Sequence, residues 1–142
     1  MTSGPRSVTF RLPVSCRVAV WQVKQALSND GLRVPAEMNL ASHIREEFGA
    51  TLSPSVVLYV DDPALLLEAV VFHRDAALLM PQPVVVSGTG SASEIVVCSA
   101  EALRDMGLPQ TVRDPVLELH SRIVRAMDSI SEREPIPQIA NC

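Results

Sequence analysis

The sequence predicts a single α+β domain, in which an antiparallel sheet of four to five strands is covered by two longer helices and one short helix. The apolar run at 56–60 stops at the Asp-Asp-Pro of 61–63, which marks a strand followed directly by a helix start. A second β-branched run, 84–86, leads into a glycine-rich turn typical of a hairpin. The length of 142 residues fits one domain, placed at 1–130, followed by a charged and then proline-containing tail at 131–142 that we expect to be flexible.

The composition argues against several classes of protein. Apolar residues make up 47% of the chain, enough for a core without disulfides or a structural metal. The net charge of −4, with a single lysine and scattered arginines, argues against nucleic-acid binding, which needs clustered cations. Three widely spaced cysteines do not form a disulfide framework, and no apolar stretch reaches the roughly 20 residues of a membrane helix. Because the start lacks a signal-peptide pattern, we expect a cytoplasmic protein with no membrane or nucleic-acid partner.

The first strand and helix are predicted at residues 7–12 and 16–29. Residues 7–12 alternate polar and apolar side chains, as a half-buried strand does. The next apolar residues, 14–20, alternate like a strand but also begin a helical spacing. Good helix formers favour the helix, with Ser15 as its cap and Gly31 just past its end.

A second strand and a short helix follow. Residues 32–38 predict a strand, in which Pro35 indicates an edge position or a bulge. Asn39 can cap a helix over 40–48, which is closed by Gly49. This helix carries one apolar stripe at intervals of four residues.

The Asp-Pro pairs predict the two later helices. Asp62 can accept hydrogen bonds from free N–H groups, and Pro63 loses no bond in the first turn, so a helix should run from there to about residue 75. Asp114 and Pro115 repeat this chemistry and predict a last helix that ends near residue 130. Between them, we expect the hairpin to be formed by the strands 84–86 and 95–98, and a single helical turn over 101–106.

This order of elements resembles the small bacterial domain-of-unknown-function family three-hundred-and-two over about residues 9–130. The resemblance rests on element order and on four anchors: the Gly31 turn, Phe48-Gly49, Asp62-Pro63-Ala64-Leu65 and Leu79-Met80-Pro81. It implies a compact α+β domain with helices on one face of the sheet, a tendency to form homodimers and no settled activity. Many members carry Cys-Asn-Pro in place of Asp61-Asp62-Pro63, and many carry a cysteine in place of Gln82. A thiol-based role suspected for relatives is therefore in doubt here.

The candidate catalytic residues are Asp61, His43 and His73. Two adjacent carboxylates repel each other, so one can keep a proton and act as a general acid or base. Since Asp62 is committed to the helix cap, Asp61 is the better candidate. His43 or His73 would be its proton partner, because histidine titrates near neutrality. His120 lies within an apolar helical stripe and is expected to be a hydrogen-bonded core or interface residue.

The apolar segment from Pro63 predicts a ligand pocket or a subunit contact. Its apolar residues cover more than one helical face, so the helix is either buried, packed against another subunit or lining a cavity. The candidate ligand-binding residues around it are Tyr59, Phe72, Met80 and Gln82, and Gln82 would orient a substrate carbonyl. No two histidines have metal-ligand spacing, so the sequence predicts neither a metal nor a cofactor.

Two functions follow from this sequence. The favoured one is a homodimeric domain that binds a small apolar molecule between sheet and helices without chemistry. The alternative is a cofactor-independent isomerase, lyase or cyclase that uses Asp61 with a histidine in the same pocket.

Overall fold

A computed structural model describes residues 6–133, which form one antiparallel sheet with helices packed against it. The strands are β1 (Ser7–Leu12), β2 (Arg33–Asn39), β3 (Ser55–Asp61), β4 (Gln82–Thr89), β5 (Ala92–Cys98) and β6 (Glu132–Arg133). The helices are α1 (Cys16–Asn29), α2 (Leu40–Phe48), α3 (Pro63–Phe72), α4 (Ala100–Arg104) and α5 (Gln110–Ile130), and Arg74–Leu78 form a 3-10 turn after α3.

The order of strands across the sheet is β2-β3-β4-β5-β1-β6. The register of β2 and β3 sets the positions of the helices that follow them. Asn39 pairs with Val56 at one end of β3, and Arg33 pairs with Asp61 at the other end. Because the two strands are antiparallel, α2 begins at one end of the sheet and α3 begins at the opposite end.

The core lies between one face of the sheet and the helices α1, α3 and α5. Burial alternates along β4, where Gln82, Val84 and Val86 point into the core and the residues between them are more exposed. Helix α5 packs against α1 and α3, and α1 also contacts β4 and β5. The largest side chains that are fully buried are Phe10, Leu27, Leu58, Met80, Ile95, Leu119, Ile123 and Met127.

Helix α2 packs against β2 and β3 apart from the main core. Ala41 of α2 and Val57 of β3 are both buried, yet neither belongs to the core cluster. Val57 alternates with Leu58, whose side chain is in that cluster, so Val57 points to the other face of the sheet. Helix α2 therefore covers part of this second face.

The predicted α+β class is confirmed, and so are several element bounds, but the sheet has six strands instead of the four to five predicted, because residues 132–133 add a short strand at its edge. The predicted helices over 16–29 and 40–48 match α1 and α2, and the ambiguous segment 14–20 enters α1. Asn39 caps α2, since its Oδ1 accepts from the Ser42 N–H at 2.9 Å. Gly49 closes α2 with a left-handed φ of 67°. Ser15 precedes α1 without a side-chain cap bond.

The predicted start of the last helix is wrong. Helix α5 begins at Gln110, and the carbonyl of Pro109 accepts from the N–H groups of Val112 (3.0 Å) and Arg113 (2.8 Å). Pro115 therefore lies inside the helix. Its missing N–H would have bonded the carbonyl of Thr111, which lies in an exposed first turn where water can replace the bond.

Two further bounds differ from the prediction. Helix α3 ends at Phe72 instead of near residue 75, and the chain continues in the 3-10 turn. Residues 132–133, within the predicted tail, form β6 and pair with β1. The rest of that tail, 134–142, including Cys142, lies outside the described residues.

Candidate functional site

Asp62 anchors the start of α3 through two kinds of contact. Its Oδ1 accepts from the Ala64 N–H at 2.8 Å, which is the predicted cap. Its Oδ2 accepts from Nη1 of Arg122 on α5. Nη2 of Arg122 also donates to the backbone carbonyl of Asp30 at 2.7 Å. One guanidinium therefore joins the C-terminal end of α1 to the N-terminal end of α3. The Arg122 hydrogen bond lowers the pKa of Asp62, despite an opposing effect of burial.

Asp61 precedes Asp62 at the end of β3 and is buried, with 7% of its surface exposed. Burial raises the pKa of Asp61, and the neighbouring charge of Asp62 adds to the rise. The positive charge of Arg33, its partner on β2, acts in the opposite direction. Asp61 therefore holds its proton more tightly than usual, mainly because of burial and only in part because of the repulsion by Asp62 that the sequence predicts.

The structure does not bring His43 or His73 to Asp61. His43 lies on α2, which begins at the Val56 end of β3, and Asp61 lies five positions further along that strand, or about 16 Å at the usual rise per residue. His73 follows α3, whose ten residues span about 15 Å from a start next to Asp61. The predicted acid–base pair is therefore not assembled, because the strand register and the length of α3 send each histidine away from the carboxylate.

The predicted ligand-binding residues do not share a cavity either. Gln82 is buried and donates from Nε2 to the carbonyl of Val116 at 2.8 Å, so its amide holds α5 to the sheet instead of facing a ligand. Met80 is a core side chain, 2% exposed. Tyr59 lies half-buried on the other face of β3 from the core, and Phe72 projects into solvent with 62% exposed.

The described residues form a cavity of about 400 Å³ between the 3-10 turn and the start of α5. Its inner wall is apolar and includes Ala76, Leu79 and Val112. Of the predicted catalytic and ligand-binding residues, His73 alone lines this cavity. The sequence signal for this cavity is weak, because its walls come from segments about thirty residues apart that show no motif.

A second cavity, of about 520 Å³, lies between α1 and the sheet. Cys16 and Val20 line it from α1, and Val56 and Gly88 line it from β3 and β4. Gly88 is required there, since a Cβ on it would come within 2.9 Å of the Cβ of Cys16. None of the predicted site residues borders this cavity.

Across residues 6–133, no three His, Cys, Asp or Glu side chains are grouped so that they could hold a metal ion. In the same part of the chain, no helix combines the length and the apolar character needed to cross a membrane.

A comparison with models of known protein families identifies the family of this chain. The model of DUF302, a domain of unknown function, matches residues 8–130. The chain belongs to the DUF302 family. The match covers nearly the same residues as the resemblance noted in the sequence, and the family assignment is therefore confirmed. No curated protein matches the chain.

A solved structure shows the same fold. The crystal structure of an uncharacterized conserved DUF302 protein from Bacillus stearothermophilus matches with a TM-score of 0.80. The match covers 89% of this chain and 99% of the other, at 14% sequence identity. At that identity the likeness concerns the fold alone, and it supports the arrangement of sheet and helices in this DUF302 domain.

Proposed function

We propose that this DUF302 domain is a homodimer that binds a small, largely apolar molecule in the cavity between the 3-10 turn and α5. The observation that carries the proposal is the cavity itself, whose volume of about 400 Å³ is within the usual range for small-molecule sites. The site differs from the predicted one in position, since it lies beside the helical layer instead of between sheet and helices.

The walls of the cavity define the chemistry of the ligand. Ala76, Leu79 and Val112 offer aliphatic surface, which favours a hydrocarbon or aromatic body through the hydrophobic effect. His73 and Asp75 are the polar side chains at the cavity and would orient one polar group of the ligand. With so few polar groups, the site fits binding better than it fits a proton relay.

The homodimer is supported by apolar side chains that are exposed along α3 and in the 3-10 turn that follows it. Leu67 and Val71 are 63% and 66% exposed and lie four residues apart, so they share one side of α3. Phe72 is 62% exposed at the end of that helix, and Leu78 is 86% exposed at the cavity. Large apolar groups grouped in this way mark contact surfaces, and a second copy would remove them from water.

The enzyme hypothesis has less support from the geometry. It requires a histidine within hydrogen-bonding reach of Asp61, and His43 and His73 lie on other parts of the domain. The raised pKa of Asp61 is explained by its burial at the end of β3.

Ligand binding can be tested with N-phenyl-1-naphthylamine, a neutral apolar dye whose fluorescence rises in apolar sites. We expect saturable binding that is lost in Leu108→Trp, because Leu108 lines the cavity and a larger ring there would fill it. The matched control is Leu52→Trp, on an exposed segment before β3, which should bind like the wild type. Equal dye binding by both variants would refute this cavity as the site.

The dimer can be tested by sedimentation equilibrium. Phe72→Glu should dissociate the dimer, since it places a charge in the proposed contact. Phe48→Glu makes the same change at a phenylalanine that is 77% exposed on α2, and it should leave the dimer intact. A wild-type protein that sediments as a monomer at 100 μM would reject the homodimer without affecting the ligand site.

A further inference from the structure

His120 of α5 is held in one tautomer by the end of β5. Its side chain is buried, with 7% of the residue exposed, and its Nε2 lies 2.7 Å from the backbone carbonyl of Cys98. A carbonyl oxygen can only accept a hydrogen bond, so Nε2 carries the hydrogen. In the neutral ring, Nδ1 is then left with a lone pair and no hydrogen.

The lone pair on Nδ1 has no partner among residues 6–133. The hydrogen bond to Cys98 is the one that His120 makes there, and it uses Nε2. Every fully enclosed side-chain nitrogen and oxygen atom in this part of the chain has a partner. Nδ1 is therefore reached from outside, through the cavity of about 280 Å³ that His120 lines between α4 and α5.

The other walls of this cavity combine one cation, one hydroxyl and apolar surface. Leu117, Ser121 and Val124 lie on the same side of α5 as His120, at helical spacing. Arg104 lines the cavity from α4, and its guanidinium has no ion pair within residues 6–133. An acceptor, a cation and two aliphatic side chains thus converge on one space.

Burial keeps the ring of His120 neutral near pH 7. Burial lowers the pKa of His120, and the positive charge of Arg104 lowers it further. The hydrogen bond to the Cys98 carbonyl and the negative charge of Glu101 act in the opposite direction. Because burial is the largest of these effects, Nδ1 acts as a hydrogen-bond acceptor at neutral pH.

We propose that this cavity binds a small organic acid that carries a hydroxyl group on the carbon beside its carboxylate. The carboxylate pairs with Arg104, and the hydroxyl donates to Nδ1 of His120. Leu117 and Val124 contact the organic body of the ligand. An acid without the hydroxyl leaves Nδ1 unpaired, so the site discriminates between two acids that differ in this one group.

The test compares mandelate with phenylacetate, which differ only in that hydroxyl, by NMR of uniformly ¹⁵N-labelled protein. Mandelate should shift the Nδ1 resonance of His120 and bind about fivefold more tightly, the usual effect of one neutral hydrogen bond. Equal affinity for the two acids would overturn the role of His120 and with it the proposal. The absence of binding by mandelate at 20 mM would do the same.

The role of the guanidinium is tested with Arg104→Gln, which removes the charge from an exposed position. Mandelate binding should fall at least tenfold, while the circular dichroism spectrum is unchanged. Arg45→Gln, at an exposed arginine near the end of α2, removes the same charge elsewhere and should bind mandelate like the wild type. Equal losses in the two variants would show attraction by net charge alone and would overturn the site. Naphthylamine binding at the other cavity should be unaffected by either change.

Discussion

Replacement of Asp62 by alanine should destabilise the domain more than the loss of a helix cap alone. The carboxylate caps α3 with one oxygen and binds Arg122 with the other. An N-cap residue contributes about 1 kcal/mol. The bond to Arg122 is charge-assisted, and the two side chains are only 18% and 19% exposed, so solvent screens it little and it contributes about 1.5 kcal/mol. The sum predicts a loss of about 2.5 kcal/mol in the free energy of unfolding.

Two further variants separate these contributions. Asp62→Asn keeps a capping oxygen but removes the charge, so its cost should be about 1.5 kcal/mol. Asp114→Ala changes the aspartate of the other Asp-Pro pair, which lies exposed inside α5 and caps nothing, so its cost should stay within about 0.5 kcal/mol.

Urea denaturation at pH 7, followed by circular dichroism, measures all three free energies. If Asp62→Asn costs as much as Asp62→Ala, the cap contributes nothing and the reasoning from helix ends is refuted. If Asp114→Ala lowers the free energy of unfolding as much as Asp62→Ala does, the contact between Asp62 and Arg122 contributes nothing to stability. The pH dependence is a second check. The pKa of Asp62 is lowered in the native state, so its stabilisation is complete above the ordinary value of 3.8 and is lost as the pH falls through the native value.

The remaining predictions concern a buried carboxylate, a turn and a buried amide. Asp61→Asn should raise stability at pH 7, because burial raises the pKa of Asp61. The stability that the aspartic acid contributes is present below pH 3.8 and is lost as the pH rises through its native pKa. Urea denaturation should therefore show a variant that is more stable than the wild type at pH 7, by a difference that shrinks in acid. Gly31→Ala should cost more than Gly107→Ala by denaturation, since both positions have a positive φ but only at Gly31 would a Cβ meet Nη2 of Arg122, at 3.3 Å. Gln82→Leu should lower stability by about 1 kcal/mol, through the lost bond to α5, and leave naphthylamine binding unchanged. A variant at Gln82 that folds normally but loses dye binding would restore its predicted role at the ligand.

The elements that were predicted well depend on local chemistry. The bounds of α1 and α2 follow from apolar spacing, from helix formers and, for α2, from the cap at Asn39 and the turn at Gly49, all of which lie within a few residues of the helix. The cap of α3 at Asp62 was predictable for the same reason. Its second contact was not, because Arg122 is sixty residues away along the chain.

The start of α5 shows how a local signal can mislead. The same Asp-Pro pair occurs at Asp114-Pro115 and at Asp62-Pro63, but a helix begins only at Asp62-Pro63. Pro63 loses no hydrogen bond at the first helical position, and the bond missing at Pro115 leaves only the carbonyl of Thr111, in an exposed turn, to be satisfied by water. The chain before Pro115 decides the difference, because the carbonyl of Pro109 begins the helix one turn earlier.

The sequence indicated which residue types could form the candidate site, but it did not indicate which of them lie close together in the fold. The sequence predicts a raised pKa for Asp61 from repulsion by Asp62, whereas burial at the end of β3 is the larger cause in the structure and the repulsion only adds to it. The partners of Asp61 depend on which strand ends meet. The pairing of β2 with β3 placed Arg33 beside it and sent His43 to the other end of the sheet.

The sequence by itself determined the α+β class, the family and most of the helix and strand positions of this domain. Hydrophobic periodicity, caps and turn glycines act over distances of a few residues, and those distances are visible in a linear chain. The tertiary structure alone decided which side chains share a space: Leu79 with Val112, Asp62 with Arg122, and His120 with Arg104. Such pairs form because packing of the core brings distant segments together, and no local propensity specifies where those segments meet.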